Sequence, residues 1–146
     1  MDSAIAELKV QELNGGNFFA TFNHLELEHI EEDFAVFRLN IRPESKNPFG
    51  FVHGGMLVAM ADNAAGYAAH TDGRTYVTQS SHITYLHNQV DGVIRAEGRV
   101  LHRGHTTCLV RVDIYGDDGR LLSTGEVVFF CVDPDDLEKK AEEGKS

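Results

Sequence analysis

Apolar and polar residues alternate in two short segments within the first third of the chain. Residues 24–30 and 34–41 both follow the two-residue period of a strand with one buried face, and the acidic residues between them form a turn. We therefore predict a hairpin. In its first strand, the alternation places Leu25 and Leu27 on one face and Ile30 on the other.

A helix-forming segment follows this hairpin. From Gly54 to about His70 the residues are mostly alanine, glycine and methionine, and Asp62 is the only ionised side chain among them. A helix that is apolar nearly all round is a buried helix. We therefore expect the rest of the chain to cover it.

Strand-like segments then follow one another to residue 132, and they are residues 76–86, 93–102, 106–115 and 120–132. The turns between them carry Gly92, Gly104 and Gly119, where we expect positive φ because glycine adopts it without steric cost. One buried helix can be wrapped by a single curved sheet. The order of elements thus predicts an α+β hotdog fold with about six antiparallel strands.

The two ends of the chain differ from its middle. Residues 2–13 have the apolar spacing of a short amphipathic helix, and residues 133–146 form an acidic, solvated tail that has room for a short helix. Phe18, Phe19 and Phe22 form an aromatic cluster that is either a single helical turn or a covering loop. The expected divisions are an N-terminal segment (1–23), a central domain (24–132) and the tail (133–146).

The composition is that of a single-domain soluble protein, with 146 residues, of which 42% are hydrophobic and 25% charged. The formal net charge of -10 disfavours nonspecific binding to nucleic acid or an anionic membrane, because phosphates are neutralised by basic surfaces. We expect neither a signal peptide nor a membrane span. Cys108 and Cys131 lie in strand-like runs and are expected to be free thiols, which favours a cytoplasmic protein.

The loop before the helix carries candidate chemistry. It contains a proline and several glycines, and Gly54 and Gly55 open the helix. Glycines leave the N–H groups of a helix start uncovered by side chains, and that end of the helix is partly positive. A donor of this kind lowers an acyl-transfer barrier by about 3 kcal/mol. We expect this helix start to bind an anion or to polarise a carbonyl.

Asp62 is the second candidate, because it lies on the same face of the helix as Gly55, roughly 10 Å further along the axis. A carboxylate on an apolar helix is costly to bury unless it has partners or a task. Desolvation would favour its action as a general base at neutral pH. Hydrogen bonding to structural donors, for instance at a subunit contact, is the alternative, and the residues alone leave both open.

The run NPFGFVHGGMLVAMADNAAGYAA, residues 47–69, resembles the motif of the PaaI-type branch of the 4-hydroxybenzoyl-CoA thioesterase superfamily. That motif has an asparagine, a glycine, His-Gly-Gly and then an acidic residue on the hotdog helix, followed by small residues. The strand TQSSHITYL, residues 78–86, resembles the central strand of the family. The likeness covers about residues 25–132 and implies an acyl-CoA thioesterase that needs no cofactor, since coenzyme A is part of its substrate.

The resemblance implies a role for each residue of the motif. Asp62 would be the nucleophile or the general base that drives water onto the thioester carbonyl. The backbone of Gly54 and Gly55, with the Gly55 N–H favoured, would polarise that carbonyl. Asn47 would position the water or the thioester, and His53 would order the loop and bind or orient the substrate.

Further assignments concern the strand that follows and the coenzyme. Thr78 would help to hold the water, with Ser80, which is expected to share its face, as an alternative. The turn at Arg103, Gly104 and His105 would contact the phosphates of coenzyme A. Its alternative is an ordinary hairpin turn with a solvated arginine.

The acyl group and the assembly are less defined. Phe49, Phe51 and Tyr67 could line a pocket for aryl or medium-chain acyl groups, or they could belong to the core. The sequence has His87-Asn88-Gln89 where relatives often have a proline, which leaves the substrate class open. In such families the site lies between two subunits, so the resemblance implies a homodimer as a minimum and favours a homotetramer.

Other functions remain as alternatives. An acyl-CoA binding or sensing module would need no turnover, but the chain lacks an output domain and retains the carboxylate. A hotdog hydratase or dehydratase would carry a proline-bracketed histidine, whereas His53 is followed by glycines. No set of histidines and cysteines has the spacing of metal ligands, so no metal is expected.

Overall fold

The computed structural model describes residues 15–144, and the helix predicted over residues 2–13 lies outside them. One antiparallel sheet has the strand order β1-β2-β4-β5-β6-β3. Each of the six predicted strands is present with its ends within one residue of the prediction, and the hotdog fold is confirmed. The strands are β1 (Leu25–Glu31), β2 (Phe34–Asn40), β3 (Thr75–Tyr85), β4 (Val93–Arg103), β5 (Thr107–Tyr115) and β6 (Leu121–Val132), and the helices are α1 (Phe18–Phe22), α2 (Gly54–Ala69) and α3 (Pro134–Glu143).

Helix α2 lies against the concave face of the sheet, as its apolar composition predicted. Its buried side chains are small apart from those of Leu57 and Met60, which lets the sheet approach closely. The backbone of Gly98 of β4 lies close to the helix, because a Cβ built there would be only 2.7 Å from the carbonyl oxygen of Ala64. The small residues of the helix and this glycine together allow one sheet to wrap one helix.

A β-bulge in β1 changes which residues face the core. The pairing with β2 shifts between Leu27 and His29, so one extra residue is inserted there. Ile30 is therefore turned inward and is only 1% exposed, beside Leu25 and Leu27. The prediction that Ile30 lies on the opposite face is wrong, since the alternation is broken at the bulge.

The two edge strands of the sheet are β1 and β3. Most side chains of β3 are exposed, including those of Val77 and Tyr85, and β6 is the only strand that pairs with it in residues 15–144. An unpaired edge strand offers backbone donors and acceptors to a further strand. Strand β3 is therefore a surface where another chain can add to the sheet.

The described segments outside the sheet include two short helices. The aromatic cluster forms the single-turn helix α1, capped by Asn17, and Phe18 and Phe22 are 81% and 84% exposed. Helix α3 in the acidic tail is capped by Asp133 and has no buried residue. None of the helices between residues 15 and 144 has the length and apolar character needed to cross a membrane.

The turn glycines follow the prediction in two of three cases. Gly92 and Gly119 adopt positive φ, at 95° and 83°. Gly104 does not, because its turn is closed differently: its N–H donates to the carbonyl of Thr107 at 2.8 Å.

Candidate active site

Asp62 lies on the side of α2 that the sheet leaves open. Its Oδ1 accepts a 2.8 Å hydrogen bond from the hydroxyl of Thr78 on the edge strand β3. Within one chain Asp62 is only half-buried, so the full desolvation expected from the apolar helix is not supplied by this chain alone. The carboxylate is therefore oriented by one partner and remains open to a ligand.

Two cavities of about 540 Å³ each meet at this carboxylate, and both are lined by Asp62, Asn63 and Thr78. The first extends along the C-terminal half of α2 and is walled mainly by aromatic and apolar groups, among them Ile30, Tyr67, Tyr76 and Phe129. The second extends along the N-terminal half of α2 and includes Gly55, Val58, Phe19 and Ser81. A ligand bound across Asp62 would occupy both.

A β-bulge in β3 decides which hydroxyls face this site. Thr78 lies opposite Phe129, which is buried against the helix, whereas Ser80 lies opposite Val128 on the outer face of the sheet. The prediction that Ser80 shares the face of Thr78 is therefore wrong, because the register shifts between them. Ser81, which is not among the predicted site residues, is turned toward the helix and lines the second cavity.

The start of α2 is capped by a side chain, contrary to the expectation of uncovered N–H groups. The Nδ1 atom of His53 accepts a 2.8 Å hydrogen bond from the Gly55 N–H. The Gly55 N–H, which is the predicted donor to the substrate, is thus already engaged. The Gly54 N–H, by contrast, has no acceptor within residues 15–144, and we take it as the available donor of this helix start.

Asn47 organises the loop that precedes the helix. Its Oδ1 accepts hydrogen bonds from the N–H groups of Phe49 at 2.9 Å and Phe51 at 3.2 Å, and Gly50 adopts a φ of 91° in the same turn. Phe49 stands at the tip of this loop and is 85% exposed, so its alternative assignment to the core is wrong. The side-chain amide of Asn47 has no acceptor in the described part of the chain and can donate to a ligand.

A third bulge, in β4, turns Arg103 inward. Arg103 lies opposite the buried Cys108, and its guanidinium forms ion pairs with Asp33 at 2.7 Å and Asp72 at 2.8 Å. It also donates to the carbonyl of Ala69 at the end of α2. The alternative of a solvated arginine is wrong, because both terminal nitrogens of Arg103 are engaged in these contacts.

Arg74 also binds the turn at residues 103–105, through its backbone carbonyls. Arg74 donates to the carbonyls of Gly104 at 3.0 Å and His105 at 2.8 Å, and it pairs with Asp72. Burial opposes ionisation of Asp72, but hydrogen bonds from Tyr76 and Arg74 and the charge of Arg103 hold its pKa below the ordinary value. Among the three residues assigned to coenzyme A, only His105 presents an exposed side chain.

The remaining candidates are cysteines and histidines. Cys108 and Cys131 are both free, and burial raises the pKa of the Cys108 thiol, which makes it a poor nucleophile. Between residues 15 and 144, no group of three or more His, Cys, Asp or Glu side chains converges in a way that could hold a metal ion.

Known proteins are similar to this chain in sequence and in fold. A family model described as the thioesterase superfamily matches residues 49–123. A protein of Saccharolobus solfataricus is 30% identical over 102 residues, 68% of this chain and 73% of the relative. Proofreading thioesterase EntH of Cronobacter turicensis is 26% identical over 129 residues, 82% of this chain and 91% of the relative. The structure of the Escherichia coli PaaI protein superposes with a TM-score of 0.80 at 21% identity, over 86% of this chain and 93% of that one.

Proposed function

Because the chain belongs to the thioesterase superfamily, as a hotdog-fold thioester hydrolase of the PaaI type, we propose that it hydrolyses an acyl-coenzyme A to a free acid and coenzyme A. The observation that carries this proposal is the Asp62 carboxylate, held by Thr78 where two cavities meet. A thioester bound across Asp62 would have its acyl group on one side and its thiol arm on the other.

Asp62 acts on the thioester carbonyl in one of two ways. As a general base, it takes a proton from a water molecule while the water oxygen attacks the carbonyl carbon. As a nucleophile, it forms an anhydride that water then cleaves. In both routes the carbon–sulfur bond breaks, the thiolate of coenzyme A leaves and takes up a proton, and no cofactor is needed.

The start of α2 stabilises the oxygen that becomes negative during attack. The Gly54 N–H is the donor that we assign, in place of the Gly55 N–H, which His53 occupies. It belongs to the first turn of a helix of 16 residues, where the helix dipole favours negative charge. A donor aimed at a developing oxyanion typically contributes about 3 kcal/mol to transition-state stabilisation.

The residues that line the two cavities support one orientation of the bound substrate, with the acyl group in the first cavity and the thiol arm in the second. The first cavity is walled by Tyr67, Tyr76 and Phe129, which suits an aryl or medium-chain acyl group. The second reaches the helix start and is the space for the thiol arm. The turn assigned to the coenzyme A phosphates binds Arg74, which lines the first cavity, so within one chain it lies on the acyl side of Asp62 and we do not assign it to the coenzyme.

A second copy of the chain completes this site in the proposal. The exposed edge of β3 and the open side of α2 adjoin Asp62, and a partner added there would remove both from water. The loop of Asn47 and the helix start of one subunit would then meet Asp62 of the other. We propose a homodimer as the active unit, with a tetramer formed from two such dimers.

The test is thiol release from a panel of aryl, short-chain, medium-chain and long-chain acyl-coenzyme A substrates. We expect turnover with a preference for aryl or medium-chain groups. Stoichiometric binding of the same substrates without release of thiol would contradict hydrolysis and would favour a binding module.

A further inference from the structure

The peptide group between Gly54 and Gly55 is held at both of its polar atoms. Its carbonyl oxygen accepts a 3.2 Å hydrogen bond from the hydroxyl of Tyr85, the last residue of the edge strand β3. Its N–H donates to Nδ1 of His53 at 2.8 Å. Strand β3 and the preceding loop therefore bind the same peptide from opposite sides.

The rings of these two residues also lie close to the α-carbons of the two glycines. A Cβ built on Gly54 would lie 3.5 Å from Cζ and from the hydroxyl oxygen of Tyr85, which is van der Waals contact. A Cβ built on Gly55 would lie 3.1 Å from Nδ1 of His53, which is tighter than ordinary contact. Glycine at position 55 thus admits the imidazole, whereas a Cβ on Gly54 would still fit beside the tyrosine ring.

This arrangement matters because the first turn of a helix is weakly ordered by its own hydrogen bonds. The first N–H groups have no partner within the helix, and glycine loses more conformational freedom on ordering than any other residue. The Gly54 N–H belongs to the preceding peptide group, whose carbonyl at His53 accepts hydrogen bonds from the N–H groups of Met56 at 2.9 Å and Leu57 at 3.2 Å. Its remaining freedom is rotation about the N–Cα bond of Gly54 relative to the Gly54–Gly55 peptide. Hydrogen bonds from outside the helix hold that second peptide and so limit this rotation.

We propose that Tyr85 is a positioning residue for hydrolysis: together with His53 it holds the Gly54–Gly55 peptide so that the Gly54 N–H points at the thioester carbonyl. This inference rests on the proposed function and adds a residue outside the loop and helix motif. Tyr85 does not touch the reacting atoms; it acts through the peptide that it binds.

A purely structural role for the Tyr85 hydroxyl would have a different signature. Tyr85→Phe removes only the hydroxyl of a residue that is 51% exposed in one chain, and it keeps the ring that would pack against a second copy along β3. An oriented donor strengthens in the transition state, so its loss lowers kcat more than it changes KM. Activity and stability are therefore expected to separate in a variant that keeps the ring.

The experiment compares Tyr85→Phe with Tyr115→Phe. Tyr115 lies in β5, and its hydroxyl has no hydrogen bond to any of residues 15–144, which makes it a matched control. We expect Tyr85→Phe to lower kcat by about 3- to 10-fold, the loss of one hydrogen bond, with KM within about twofold. The melting temperature should not change, and amide hydrogen exchange at Gly55 should accelerate. Tyr115→Phe should behave as wild type.

The outcomes separate this inference from the proposed function. Wild-type kcat and unchanged exchange at Gly55 in Tyr85→Phe, with Asp62→Asn inactive in the same assay, would overturn the role of Tyr85 alone. A loss of kcat that follows a fall in melting temperature would also overturn it. Hydrogen exchange reports on the peptide even without turnover, so it tests the positioning independently of the hydrolytic proposal.

Discussion

The hydroxyl of Thr78 donates to Oδ1 of Asp62 at 2.8 Å and so ties the edge strand β3 to the buried helix α2. The bond leaves the second carboxylate oxygen for water or substrate. It also places the carboxylate beside β3, which pairs with β6 on one side and with no described strand on the other. The same hydrogen bond thus orients the carboxylate of Asp62 and keeps it at a surface that a second chain can cover.

Replacement of Thr78 by valine should therefore impair catalysis without unfolding the protein. Valine keeps the shape and removes the donor, so Asp62 can rotate, and we expect kcat to fall by about 10-fold. Thr84→Val on the same strand is the control, because Thr84 is exposed and outside both cavities. Steady-state kinetics with equal activity in the two variants would show that the Thr78 hydroxyl has no part in the reaction.

Two substitutions at Gly54 separate its N–H from its backbone freedom. Gly54→Pro removes the N–H at the first helical position, where proline is well accepted, and the ψ of 135° at His53 suits a following proline. Gly54→Ala keeps the N–H, and its Cβ would make only ordinary contact with Tyr85. We expect Gly54→Pro to lose about 10²- to 10³-fold in kcat and Gly54→Ala to lose little.

The melting temperatures of both variants serve as the control for this pair. Similar melting temperatures would show that the difference in kcat lies in the donor. Full activity of a folded Gly54→Pro would contradict the assignment of the Gly54 N–H.

The ion pairs of Arg103 predict a dependence of stability on pH. The pKa of Asp72 is lowered in the folded protein, so its contribution is complete above the ordinary pKa of 3.8 and is lost as the pH falls below that value. Asp72→Asn should lower the unfolding free energy at pH 7 by about 1–3 kcal/mol, and less at pH 3. Urea unfolding between pH 3 and pH 7 measures this. A difference that is constant over this range would contradict it; the exposed Asp91→Asn is the control.

Arg103 itself distinguishes a structural role from a phosphate contact. Arg103→Met keeps most of the stem and removes the charge that pairs with Asp33 and Asp72. We expect a lower melting temperature with KM for acyl-coenzyme A nearly unchanged in the folded enzyme. A raised KM at unchanged melting temperature would instead support contact with the coenzyme A phosphates.

Most of the fold could be predicted from the sequence because the signals were long and regular. The apolar run after Gly54 identified the helix, and the alternating runs identified the strands, with ends within one residue of those observed. Ile30 and Ser80 were predicted to lie on the wrong face of the sheet, and the orientation of Arg103 was left open. Each of these residues follows a β-bulge. One inserted residue reverses every side chain beyond it, and no local residue preference marks the insertion.

The residues of the candidate site could be predicted from the sequence better than the contacts between them. The loop motif identified His53 and Gly55, but the hydrogen bond between them depends on the orientation of an imidazole, which no spacing encodes. Ser81 and Tyr85 were missed because their importance depends on the register of β3 with β6 and on its distance from α2. These are properties of the packed structure.

A shared site can be tested by mixing two inactive variants. Asp62→Asn lacks the carboxylate and Gly54→Pro lacks the donor, so a mixed dimer contains one doubly defective site and one intact site if the two groups come from different subunits. We expect activity to return when the variants are unfolded and refolded together. If the groups come from one chain, the mixture stays as inactive as its components.

The most direct test of the account is the turnover of Asp62→Asn on the best acyl-coenzyme A. We expect thiol release to fall by about 10²- to 10⁴-fold while the melting temperature and the oligomeric state remain those of the wild type. Asp91→Asn, at an exposed ion pair with Lys46, should keep full activity. A folded Asp62→Asn that releases thiol at more than about a tenth of the wild-type rate would contradict the role of Asp62 in hydrolysis.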